Sequence, residues 1–298
     1  MASSTDYLKL HFIVFLWGFS AILGKLVSIP AVEMVWYRSI LAAIGMGAVI
    51  YFSKATFKIS RADLFKLLAI GAIVSLHWIA FFGSARVSNV SVSLVGFATN
   101  SLWAAILEPW FNKTRIKKYE VLLGLIVITG LYIIFSFDFQ YKLGLLIGIF
   151  AGFSSSLFAV FNSRMVKRVS ARSITFYEMI GVFIATGIFL PFLQLAGVEL
   201  RWPLLPAGMD FLYIAILAGV CSVYAYTVAV DLMKRISVFM IQLTLNLEPV
   251  YGIIMALIIF GQQEKMTLNF YIGTLVILGA VITYPMVKKR FDRTVLLD

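Results

Sequence analysis

Ten apolar stretches, each about as long as a bilayer is thick and separated by short charged breaks, constrain this chain more than any other feature. A helical span needs roughly 20 predominantly apolar residues. The stretches fall near residues 8–27, 30–52, 64–83, 91–111, 119–136, 143–163, 173–193, 211–230, 237–260 and 268–287. With 61% hydrophobic and 13% charged residues, a water-soluble domain would lack the polar side chains to cover its own surface. The expected fold class is therefore an all-α integral membrane protein of ten transmembrane helices, with the lipid bilayer as its solvent. Ten spans use up the 298 residues and leave no room for a separate soluble domain. The lone Cys221 sits in an apolar stretch, which excludes an intrachain disulfide and a cysteine-based zinc cluster. No metal or other cofactor is expected.

The net charge of +11 would suggest nucleic acid in a soluble protein, but in a membrane protein Lys and Arg are first a topology signal. If the N-terminus is cytoplasmic, the inside connections carry Lys54, Lys58, Arg61 and Lys66; Lys113, Arg115, Lys117 and Lys118; Arg164, Lys167, Arg168 and Arg172; Lys234 and Arg235; and Lys288, Lys289, Arg290 and Arg293. The outside connections carry only Arg86, Lys142, Arg201 and Lys265, with Lys25 near an outer helix end. This alternation fits an even number of spans with both termini cytoplasmic, a retained first span and no nucleic-acid partner.

The two halves are weakly alike. At a constant offset of 149, Lys118-Tyr-Glu-Val-Leu-Leu-Gly124 and Gly130 line up with Thr267-Leu-Asn-Phe-Tyr-Ile-Gly273 and Gly279. The same offset sets Val87-Ser88 against Ile236-Ser237 and Asn100 against Pro249, while Gly18-Phe-Ser20 matches Gly152-Phe-Ser154 at a shorter one. Trp36-Tyr-Arg38 falls opposite Phe176-Tyr-Glu178. Five spans per half is an odd number, so the copies, residues 1–136 and 137–298, must be inverted in the bilayer. Inverted repeats are the architecture of alternating-access transporters, whose substrate site lies near the midplane.

These features, together with Leu16-Trp17-Gly18, Lys25, Arg38, and Asn246-Leu-Glu-Pro249 followed by Glu264-Lys265 and Gly273, resemble the EamA family of the drug/metabolite transporter superfamily. The first half departs from the family pattern, with Asn100-Ser101 where a Ser-Pro step is usual and Arg115 where a Glu is usual. The resemblance implies a multi-pass permease of a bacterial inner (cell) membrane that moves a small-molecule substrate, most readily the export of amino acids or related solutes. The oligomeric state is not readable.

Ionisable groups inside a span are costly unless they face a cavity or a partner, which singles out His77, Arg38, Glu178 and Glu248. Glu248 precedes Pro249, whose missing N–H disturbs the helix and frees a carbonyl. Gln242, Asn246 and Pro249 share one helical stripe. At the offset of 149 their mates are Ser93, Phe97 and Asn100, and two facing stripes would make a central pathway. Arg38 and Glu178, at equivalent positions of the repeats, are a candidate gate or charge pair. Glu108-Pro109 reads as a helix terminus facing Lys113 and Arg115. The resemblance adds Trp78 and Trp103, with His77 and Phe81, as aromatic substrate contacts. An intramembrane enzyme would need a nucleophile with a base, or clustered metal ligands; the chain has two histidines, no His-Glu-x-x-His and no Gly-x-Ser-x-Gly. A non-transporting sensor or scaffold would need no midplane polar stripe.

Overall fold

The computed structural model describes residues 2–135, 141–200 and 204–294. The backbone is 82% helical and has no strand among the described residues. Eight segments are long and apolar enough to cross a bilayer: α1 Ser4–Leu26, α2 Ala31–Phe52, α3 Arg61–Val87, α4 Val90–Asn112, α6 Lys142–Met165, α7 Ala171–Leu195, α8 Met209–Leu232 and α9 Val238–Glu264. The expected stretches 119–136 and 268–287 form helices α5, Lys118–Phe135, and α10, Leu268–Thr294, which fall outside those eight. The expected boundary between the halves, at residues 136 and 137, lies outside the described residues, as does Arg201.

Local chemistry sets the helix starts. Ser3, Ser60, Asn89, Ser170 and Ser237 each accept a backbone N–H of the first turn through a side-chain oxygen, satisfying a donor that has no partner within the helix. At the start of α1 the Asp6 carboxylate also accepts the Ser3 N–H at 2.9 Å, completing a capping box.

Two helices are broken in the same way. In α4 an eight-residue helix, Val90–Phe97, is followed by a break at Ala98 and Thr99 and a 13-residue helix, Asn100–Asn112. In α9 the eight-residue helix Val238–Leu245, a break at Asn246 and Leu247, and the 13-residue helix Glu248–Phe260 repeat the pattern. Val90 to Val238 and Asn100 to Glu248 are both separations of 148. The sequence offset of 149 is therefore one too large across this stretch. Asn89 caps the first copy one residue later than the Val87-Ser88 match places it, whereas Ser237 caps the second at the match. Asn100 corresponds to Glu248, not to Pro249, and the mates of Gln242, Asn246 and Pro249 are Leu94, Ala98 and Ser101.

The packing keeps the same exchange. α3 lies against α6 and α7, and α8 against α1 and α2; α4 lies against α6, and α9 against α1; α5 pairs with α10. At both breaks a glycine lets another helix come close. A Cβ on Gly152 of α6 would meet Phe97 O at 2.9 Å, and one on Gly18 of α1 would meet Tyr251 Cβ at 3.0 Å with Glu248 O at 3.7 Å. Glu264, at the end of α9, accepts the Val90 and Ser91 N–H groups at 2.8 and 2.9 Å. Glu108, near the end of α4, accepts the Val238 and Phe239 N–H groups at 3.2 and 2.8 Å. Each carboxylate thus caps the other broken helix at its positive end. That corrects the expectation that Glu108 faces Lys113 and Arg115.

Candidate functional site

A cavity of about 70 Å³ lies among α1, α2, α3, α4, α6, α8 and α9. One water needs roughly 10–15 Å³ on this measure, so the space holds several waters or part of a small solute. Seven expected residues line it: Arg38, His77, Trp78, Phe81, Phe97, Gln242 and Glu248.

Arg38, 2% exposed, is positioned from two sides. Its Nε donates to Ser222 Oγ at 2.9 Å, and its guanidinium carbon lies 3.9 Å from the Trp78 ring centroid. Stacking of this kind suits the planar, weakly hydrated guanidinium better than an ammonium. Glu248, 3% exposed, opens the second helix of α9 and has no hydrogen-bond or ion-pair partner among the described residues. The cavity therefore contains one fixed cation and one free carboxyl group that do not pair with each other.

His77 Nδ1 lies 2.8 Å from the Ala151 carbonyl. A carbonyl only accepts, so Nδ1 carries the proton and Nε2 of the neutral ring is left as an acceptor. Phe81, Phe97 and Phe158 surround the imidazole at centroid distances of 6.1, 5.6 and 5.4 Å. Gln242 donates through Nε2 to Ser155 Oγ at 3.3 Å, while its Oε1 is buried without a partner.

The remaining expected residues lie elsewhere. Ser93 donates to Phe81 O at 2.8 Å and holds α4 against α3. Asn100 is fully buried, with both side-chain polar atoms unpartnered, and does not line the cavity. Trp103 packs edge-on against Phe153 at 5.2 Å, away from the aromatic walls. Asn246 donates to Ser101 Oγ at 2.7 Å, and Pro249 occupies the first turn of the helix after the break, where its missing N–H costs nothing. The expected facing stripes thus supply Gln242 and Phe97 to the cavity but not the rest.

Arg38 and Glu178 form no ion pair. Glu178 Oε2 accepts Tyr226 OH at 2.7 Å and Asn162 Nδ2 at 3.2 Å, all three side chains being buried. Tyr226 reaches the cavity; Glu178 stays one bond behind it. Neutral donors take one oxygen of this carboxyl group in place of the cation the repeat suggested, and its Oε1 is buried without a partner.

Sequence reasoning missed Trp17 and Ser20 of α1 and Cys221 and Tyr226 of α8 as lining residues. The last two lie on a π-helical stretch, Leu217–Tyr226, in the middle of α8. Its wide turn shows in the Ser222 hydroxyl, which donates to Leu217 O at 3.1 Å, five residues back. Trp17 Nε1 donates to the Cys221 carbonyl at 3.0 Å and holds the stretch from α1. Leu16-Trp17-Gly18 was the available signal for α1; the sequence carries none for the π turn.

Residues 7–136 and 142–284 match the model of the EamA-like transporter family. A solved crystal structure, described only as that of a protein, superposes with a TM-score of 0.69 over 97% of this chain and 99% of its own, at 14% identity. At that identity the likeness speaks for the fold alone. No curated protein matches the chain.

Proposed function

We propose that this chain, which belongs to the EamA-like transporter family of the drug/metabolite transporter superfamily, exports amino acids or closely related metabolites. The family is one of membrane transporters, and a multi-pass membrane protein follows from it and from the apolar helices. The substrate class rests on one observation: Arg38 and Glu248 present a fixed cation and an unpartnered carboxyl group to one aromatic-walled cavity without pairing with each other. A zwitterion supplies both missing partners, its carboxylate meeting the guanidinium and its ammonium the Glu248 carboxylate, with the apolar walls taking a side chain.

Transport then proceeds by alternating access, two inverted repeats (residues 1–136 and 137–298) rocking around the cavity. Counting α5 and α10 as spans brings the total to ten. The basic connections favour both termini on the cytoplasmic side, and the family resemblance favours a bacterial inner membrane.

The test is counterflow into proteoliposomes preloaded in turn with a mixture of unlabelled amino acids, nucleosides or sugars. Labelled amino acids should accumulate, and accumulation should be lost in Glu248→Gln, Arg38→Gln and His77→Ala with membrane insertion unchanged. Nucleoside or sugar counterflow alone, or full activity in all three variants, would refute the assignment.

A further inference from the structure

A second, larger space lies outside the cavity, between the α3 and α6 ends on the basic face. This crevice of about 450 Å³ is lined by Lys66, Ile70 and Ile73 of α3 and by Phe161, Arg164 and Arg168 beyond and along the end of α6. Lys66, Ile70 and Ile73 share one stripe of α3, Phe161 and Arg164 one of α6, and Arg168 follows in the turn beyond it. α3 enters the membrane from Arg61 and α6 leaves it near Met165, so the chains run antiparallel and their cations coincide at one end. Seven residues of helix, about 10 Å, separate Lys66 from Ile73, and over that length the wall changes from charged to apolar.

Arg168 is held by Asp63 at 2.6 Å and also donates to Met165 Sδ at 3.1 Å. Lys66 and Arg164 are exposed and have no hydrogen-bond or ion-pair partner among the described residues. Two unpaired cations at the polar end of an apolar crevice, where two spanning helices end together, have the charge and polarity profile of one kind of occupant.

We propose that this crevice binds an anionic glycerophospholipid, with its phosphate on Lys66 and Arg164 and an acyl chain along Ile70, Ile73 and Phe161. A zwitterionic lipid would bring its own ammonium beside the two cations, and a free glycerol phosphate would leave the apolar wall uncovered. The inference rests on the chain spanning a membrane but not on what it carries.

The test uses the whole protein purified in a neutral detergent and counts bound lipid by native mass spectrometry. It is titrated with palmitoyl-oleoyl phosphatidylglycerol, with the phosphatidylcholine of the same chains, and with sn-glycerol 3-phosphate. The expected result is saturable binding of phosphatidylglycerol alone, weakened about tenfold or more in Lys66→Gln/Arg164→Gln. The Lys113→Gln/Arg115→Gln control, which removes two exposed charges elsewhere, should bind as the wild type does. The single variants Lys66→Gln and Arg164→Gln should each lose part of the affinity, a readout that stands if the double variant fails to fold. Equal binding of phosphatidylcholine, competition by glycerol phosphate, or unchanged affinity in both single variants would overturn the proposal.

Discussion

Asn246 of α9 donates through Nδ2 to Ser101 Oγ of α4 at 2.7 Å, joining the two broken helices beside their breaks. Both side chains are buried, and Asn246 Oδ1 has no partner, so this bond is the one the amide makes among the described residues. With the reciprocal caps from Glu108 and Glu264 at the two ends, it makes α4 and α9 a unit fastened at three levels. Interhelical side-chain hydrogen bonds in membrane proteins contribute about 0.6 kcal/mol on average and up to about 1.7. Ser101→Ala strands a buried amide and should sit at the upper end of that range, read as a lowered unfolding midpoint in detergent. Ser101→Thr, which keeps the hydroxyl, should lose less.

The two glycines at the breaks should not respond alike. On Gly152 a methyl group meets Thr99 Oγ1 at 2.7 Å, Phe97 O at 2.9 Å and Asn100 N at 3.1 Å, two of them backbone atoms that cannot swing aside. On Gly18 the nearest atom is Tyr251 Cβ at 3.0 Å, and the next contact is at 3.6 Å. Gly152→Ala should destabilise by about 1–3 kcal/mol, as overpacking does, and Gly18→Ala by clearly less. Thermal unfolding of the two purified variants decides it, and equal losses would contradict the geometry.

How far the sequence could be read depended on which signal each feature leaves. Apolar length and loop charge follow directly from the bilayer, so helices α1 to α4 and α6 to α9 were visible within a few residues. The break in α9 had a marker in Pro249; the equivalent break in α4 has none, because Ser101 stands at the matching place, and the close approach of Gly152 to it is a tertiary contact. The one-residue shift between the copies arises from a cap at Asn89, which a comparison of apolar composition cannot detect. At the site, the charged residues Arg38, His77 and Glu248 were legible because burial in a membrane makes charge expensive. Their partners were not. Ser222 reaches Arg38 from a π turn, and Tyr226 and Asn162 take Glu178 away from Arg38; both are tertiary arrangements that leave no periodic trace.

Arg38 should not tolerate lysine. Its Nε bond to Ser222 and its stacking on Trp78 use the planar fork, while the position of the charge is set by both contacts together. Arg38→Lys keeps the charge and loses both contacts. Transport in vesicles should fall by about tenfold or more if each lost contact is worth about 1 kcal/mol. Trp78→Phe, which keeps an aromatic face under the guanidinium, should retain most of the activity. Arg38→Lys with wild-type transport would mean that charge alone suffices there.

The N-terminal end of α1 is tied by ion pairs to the connection between α8 and α9. Arg235, in the connection between α8 and α9, meets Asp6 at 3.1 Å and Asp231 at 3.0 Å, while Lys234 meets Asp231 at 2.8 Å. The hydrogen bond to Asp231, and then the charges of Asp231 and Asp6, raise the Arg235 pKa above its ordinary value. A raised cation contributes its stabilisation fully below the unfolded value and loses it only as the pH climbs through the folded one. Arg235 is therefore charged at every pH used for transport, and salt, not alkali, is the lever on its pairs. Arg86 holds the other end of α1 differently, by hydrogen bonds to the carbonyls of Gly24, Val27 and Ile29, and its counter-charge Asp210 is buried, where salt screens far less. Salt should then loosen one end of α1 and leave the other. In a Cys221→Ser background, a cysteine replacing the cavity-lining Met233 should react slowly with a membrane-impermeant maleimide, and several-fold faster at high salt or with Arg235→Gln added. Rates insensitive to both would show that these ion pairs do not close the cavity on that side.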